Sequence, residues 1–180
     1  VLGGYGDGGM ITTNRDELHD HVRRLRTHGA AKPFMHVEIG MNSRLDEIQA
    51  AVLRLKLRTI DRDLAGRRAI AAEYTKRFAG TAVKPPVALK PDAHVYNLYT
   101  ARLPKRDAVR EALTAAQVGT SLCYPQGLHL QDVYKHLGYK AGDLPVCEQA
   151  SGEVLSVPVY PGMPLDHVER VCAIIGQALR

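Results

Sequence analysis

The 180 residues include 24 basic and 19 acidic side chains, a formal charge of +5, with 45% hydrophobic and 24% charged residues. This is the make-up of a folded globular chain with enough apolar material for a sizeable core, which excludes disordered, collagen-like and low-complexity classes. No run of about 18 apolar residues could span a membrane, and the basic residues are dispersed among acids instead of forming the aromatic-interleaved stripe of a nucleic-acid surface.

The opening stretch VLGGYGDGGM has neither the basic nor the apolar segment of a signal peptide. The three cysteines show no C-x-x-C spacing, which argues against a disulfide frame or zinc site and for a cytoplasmic setting. Within the opening, GGYGDGG at residues 3–9 allows positive φ and close backbone approach. Met10 to Thr13 reads as a short strand. Asn14 is a suitable helix N-cap with Glu17 three residues on, and Leu18, Val22 and Leu25 then form a helical stripe that Gly29 ends.

Residues 30–42 read as an irregular connection containing Pro33, Gly40 and Asn42. A long helix is predicted from Ser43, with one apolar stripe of Leu45, Ile48, Val52 and Leu55 and a second of Leu53, Leu57, Ile60 and Leu64. Two stripes require two packing surfaces: both inside the chain's own core, or one against a second domain or subunit. The helical pattern continues through Tyr74 and Phe78 to Gly80, and Pro85, Pro86 and Pro91 mark an extended connection. Strands are predicted over 95–103, 118–124 and 154–157, with helices over 107–116, 128–137, 145–152 and 165–179. This alternation indicates a compact α/β or α+β unit.

Local spacing alone does not identify a chemistry. The glycine run lacks the GKS or GKT ending of a phosphate loop and the helix that follows G-x-G-x-x-G. His21 and His28, like His129 and His136, lie seven apart instead of four, so no metal site is expected. No G-x-S-x-G nucleophile motif occurs.

Three segments taken together are more informative: Gly3–Gly9 with the residues after it, GMNSRLDEIQAA at 40–51, and CYPQGLHLQ at 123–131 with LSVPVYP at 155–161. In this order and spacing the chain resembles the pyridoxal-phosphate-dependent nucleotide-sugar aminotransferases of the DegT/StrS type, members of the fold-type-I superfamily. The resemblance implies an α/β fold in which residues 1–29 are the tail of a large cofactor domain. Residues 30–64 would be a connection and dimer-interface helix, and 65–180 a complete small C-terminal domain. It sets the Schiff-base lysine immediately before Val1, so no catalytic residue falls within the chain and Lys32 is not that lysine.

The resemblance also implies site residues. Tyr5 and Gly6 would lie beside pyridoxal 5'-phosphate, and Asn42 would reach its phosphate across a homodimer interface. Arg44 would hold a donor carboxylate or sugar phosphate, or else pair with Asp46 or Glu47. Tyr124 would approach the nucleotide sugar, next to Cys123 where the family has histidine. His129 would touch substrate or serve as a structural helix-start residue. The implied reaction passes an amino group from an amino acid, typically L-glutamate, through the cofactor to a nucleotide-linked keto-deoxysugar. Partners would be that sugar, the donor and a second subunit sharing the active sites, with no nucleic acid or membrane. The alternatives are a cofactor-dependent sugar dehydratase of the same family and a non-catalytic binding module on the same scaffold.

Overall fold

The computed structural model describes residues 1–90 and 93–180, so Pro91 lies outside the described residues. The chain divides into two compact units, Val1–Ile60 and Asp61–Arg180.

In the first unit, helix α1 (Asp16–Leu25) has Asp16 and Glu17 in its first turn and Arg23 and Arg24 in its last, charges that complement the helix dipole. Its N-cap position is Arg15, not the expected Asn14, and the Arg15 N–H donates to Thr13 Oγ1 at 3.1 Å. The expected strand over 10–13 does not form. An extended segment needs a neighbour for its amides and carbonyls, and none pairs with it among the described residues. Part of the supposedly irregular connection is a hairpin of β1 (Ala30–Lys32) and β2 (Met35–His36), paired antiparallel as Ala30 with His36 and Lys32 with Met35. Phe34 takes a positive φ of 63° at its turn.

The predicted long helix is two helices, α2 (Glu47–Leu57) and α3 (Ile60–Phe78). Asp46 is still extended, which delays the start of α2. Between the helices, the amides of Arg58 and Thr59 reach back three residues to the carbonyls of Leu55 and Lys56, a tightening that ends α2. Neither apolar stripe is enclosed by the chain: Ile48 is 80% exposed, Leu55 62% and Leu57 59%. Every buried hydrophobic side chain lies between Ile70 and Ile175, so the first unit has no core of its own among the described residues.

The second unit has one. β3 (Tyr99–Arg102) and β4 (Val154–Val157) pair antiparallel, Tyr99 opposite Val157 and Arg102 opposite Val154. Single bridges extend this pair, Lys84 to Arg102 on one edge and Ser121 to Ser156 on the other. The bridge at Ser121 is all that forms of the expected strand over 118–124. Its ends turn away at Gln117 (φ 59°) and Tyr124 (φ 56°), and Pro125 offers no amide.

Three helices pack their side chains with Tyr99, Ala101, Leu155 and Val157 of the strands to form the core: Ile70, Tyr74 and Phe78 from α3, Val109 and Leu113 from α4 (Arg106–Ala115), and Val168, Val171 and Ile175 from α6 (Leu165–Ala178). The Tyr74 and Tyr99 rings pack tilted by 30° at 5.0 Å between centroids, and burial raises the Tyr99 phenol to about 12. The predicted helix over 128–137 is instead two 3-10 turns, Leu128–Leu130 and Asp132–Leu137, because Gln131 between them is extended. Helix α5 (Pro145–Glu153) begins with proline at its first position, where a missing amide costs nothing. Its far end is held by buried Arg106, whose Nη1 donates to the carbonyls of Ser151 at 3.1 Å and Val154 at 3.4 Å. The Arg106 Nε lies 2.6 Å from Asp107 Oδ1, a charge contact without hydrogen-bond alignment. Among the described residues no helix is long and apolar enough to cross a membrane.

The uneven burial has a direct consequence. Residues 61–180 alone should unfold in one cooperative urea transition. Residues 1–60 alone should show amide exchange near random-coil rates. Cooperative unfolding of the shorter piece would contradict this division.

Candidate functional site

The path of residues 24–43 is set by a backbone crossing. Gly29 has φ 73°, and a side chain there would run into the Glu38 carbonyl. A side chain at Gly40 would likewise meet the Gly29 amide and the Leu25 carbonyl. Around this crossing the Met41 N–H donates to Leu25 O at 2.8 Å, the His28 N–H to Met41 O at 3.0 Å and the Ser43 N–H to Arg26 O at 2.9 Å. An isolated bridge pairs Asn42 with Thr27. Glu38 closes the ring from outside, accepting from Arg24 Nε at 2.7 Å and lying 2.9 Å from His21 Nδ1. The sequence reading saw in Gly29 only a helix end.

The crossing sets Asn42 and Arg44 on the wall of a cleft of about 1040 Å³. Arg23, Arg26, Ser43, Thr12 and Thr13 also line it. Guanidinium, amide and hydroxyl donors on one concave surface suit an anion with several oxygens, such as a phosphate. Arg44 Nε donates to Asn42 Oδ1 at 3.1 Å, so the Asn42 amide nitrogen is the donor left for a ligand. Of the two roles left open for Arg44, the ion pair with Asp46 or Glu47 does not form among the described residues.

Tyr5 and Gly6 lie on the glycine run just before the cleft wall begins at Asp7. The Tyr5 ring is 79% exposed, and its N–H donates to Gln49 Oε1 at 2.7 Å. Lys56 Nζ donates to the Gly3 carbonyl at 2.5 Å. Sequence reasoning overlooked Gln49 and Lys56. Their spacing of seven on one helix face was the available signal, but their target lies about 50 residues away in the chain.

Tyr124 and His129 belong to the second unit. Tyr124 is 67% exposed, and its positive φ turns the chain after Cys123. The His129 side chain is only 5% exposed, with Nε2 at 3.1 Å from Glu148 Oε1. Its other nitrogen is buried without a partner, and its ring packs edge-on to Tyr139. A side chain at Gly127 would press on that ring at 2.7 Å. Glu148, also missed in the sequence, further accepts the amides of Gly142 at 2.9 Å and Leu144 at 3.3 Å. Among the described residues no group of histidine, cysteine and acidic side chains is arranged to hold a metal ion.

Comparison with known proteins adds to this geometry. A family profile described as the DegT/DnrJ/EryC1/StrS aminotransferase family matches residues 2–176. The chain is 42% identical over 182 residues to a pleiotropic regulatory protein of Geobacillus stearothermophilus, covering 99% of this chain and 49% of that one. It is 38% identical over 185 residues to a dTDP-3-amino-3,4,6-trideoxy-alpha-D-glucose transaminase of Micromonospora megalomicea, covering 99% and 50%. Among solved structures, DesV of S. venezuelae, crystallised in complex with a ketimine intermediate, superposes with a TM-score of 0.90 at 37% identity, covering 99% of this chain and 48% of that one. The chain spans about half the length of the curated relatives it matches.

The Glu148 cluster leads to a pH test. Its carboxyl is held below the ordinary value of 4.5, chiefly by the Gly142 amide and next by the His129 hydrogen bond. A depressed carboxyl lends stability that is complete above its unfolded value and lost as pH falls through the folded one. The stability margin of the parent over Glu148→Gln, measured by urea denaturation, should therefore be present at about pH 7 and shrink below about pH 4.5. A margin that does not change with pH would refute the assignment.

Proposed function

Because the chain belongs to the DegT/DnrJ/EryC1/StrS aminotransferase family, we propose that it forms the C-terminal part of a pyridoxal-phosphate-dependent aminotransferase acting on a nucleotide-linked keto-deoxysugar. The observation that carries this reading is the cleft where Asn42, Arg44, Arg23 and Arg26 meet beside the glycine run. That donor set fits the cofactor's phosphate. Bound there, pyridoxal phosphate supplies the electron sink that lets an amino group leave one carbon and join another.

The chain's own residues bind and orient. The Asn42 amide nitrogen, the donor left by the Arg44 bond, donates to a phosphate oxygen without adding a charge that must be desolvated. The remaining Arg44 nitrogens receive the carboxylate of the amino donor, L-glutamate, or a sugar phosphate. Tyr124 presents its exposed phenol to the sugar nucleotide. His129, bonded to Glu148, steadies the segment that carries Tyr124. In this reading the first unit is the end of the cofactor domain with its connection, and the second is the small domain. The exposed Ile48, Leu55 and Leu57 then face a second subunit in a homodimer with shared active sites in the cytoplasm.

A second reading is favoured by the name of the Geobacillus relative: a regulatory module that keeps the scaffold and its ligand without turnover. Incubating the full-length, cofactor-loaded protein with L-glutamate and a panel of thymidine- and uridine-linked keto sugars separates the two. An amino-sugar product supports the aminotransferase, while ligand binding without any product supports the regulator.

Asn42→Ala should weaken cofactor retention about tenfold, the loss of one hydrogen bond to a charged group, and leave the denaturant midpoint of the cofactor-free protein unchanged. Equilibrium dialysis showing equal affinity in parent and variant would remove Asn42 from the site.

A further inference from the structure

We propose that Gln49 is a positioning residue: its side-chain amide sets the path of the glycine run beside the cofactor cleft. The proposal rests on the reading of that cleft as the cofactor site.

Among the described residues no side chain in 1–13 is buried, so packing does not dictate where the run goes. Polar ties from α2 do. Gln49 Oε1 accepts the Tyr5 N–H at 2.7 Å, and two turns further along the same helix face Lys56 Nζ donates to the Gly3 carbonyl. The glycines are cut to this brace. A methyl at Gly6 would sit 2.7 Å from Gln49 Nε2, and one at Gly4 would sit 2.9 Å from Oε1. Gly6 also has φ 141°, so its backbone asks for glycine independently. Gly4 has no such backbone demand; what a side chain there meets is Gln49.

The end of a glutamine side chain swings easily, so a methyl at Gly4 is accommodated by moving the amide. That movement breaks its bond to Tyr5. Gly4→Ala and Gln49→Met, which keeps the length but removes the acceptor, therefore disable the same contact from opposite sides. A run released from this brace presents Asp7, Gly8 and Gly9 of the cleft wall in shifted positions, while the second unit's core is untouched.

The test is a double-mutant cycle in the full-length protein. It reads cofactor dissociation by equilibrium dialysis, the pH titration of the cofactor's visible absorption band, and the melting temperature without cofactor. Each single variant should weaken retention about fivefold, the double variant no more than either alone, and the cofactor-free melting temperature should hold. The band's titration should shift by the same amount in all three variants. Multiplying effects would overturn the proposal, because the two positions would then act separately. So would parental retention in Gln49→Met while Asn42→Ala still loses cofactor, and in that case the cofactor reading survives. Parental retention in both Gln49→Met and Asn42→Ala overturns the proposal together with that reading.

Discussion

At Gly29 and Gly40 two stretches of backbone approach so closely that neither position has room for a side chain. The first unit depends on that contact. It brings residues 41–43 against the end of α1, where reciprocal backbone hydrogen bonds hold them. Asn42 thereby lines the same cleft as Arg23 and Arg26 at the end of α1. The end of the connection is thereby tied to the end of α1 by backbone hydrogen bonds. The donors that line the cleft come from three separate stretches of sequence, 12–13, 23–26 and 42–44.

Burial divides the chain differently from chemistry. The second unit encloses aromatic and aliphatic side chains from three helices and a strand pair, and buried Arg106 satisfies the carbonyls where α5 ends. The first unit encloses no hydrophobic side chain yet carries the cationic cleft, and it exposes Ile39, Phe34, Met10 and Ile48. The second unit is thus held by a packed core, and the cleft of the first lies on elements held by backbone and polar ties. Such ties cost less to rearrange than a packed core.

Parts of this were legible in the residues. α1, α4, α5, α6 and β4 lie within a few residues of where periodicity and caps set them, because each is encoded by neighbours in sequence. The pair Asn42 and Arg44 was legible as part of a motif, and the structure brings the two into contact. The strands expected over 10–13 and 118–124 were misread because a strand is completed by its partner, which local alternation cannot supply. His129 left two roles open, and only the position of Glu148 19 residues away shows its ring bonded within the unit.

The sequence by itself determined the family and, within a few residues, the bounds of α1, α4, α5 and α6. These are properties of short motifs and of spacing along one element. Tertiary structure alone decided that two glycines cross, that Gln49 reaches back to Tyr5, and that a long helix breaks at Arg58. Each of these is a contact or a hydrogen-bond choice whose energy depends on groups distant in the chain, and no local pattern encodes that distance.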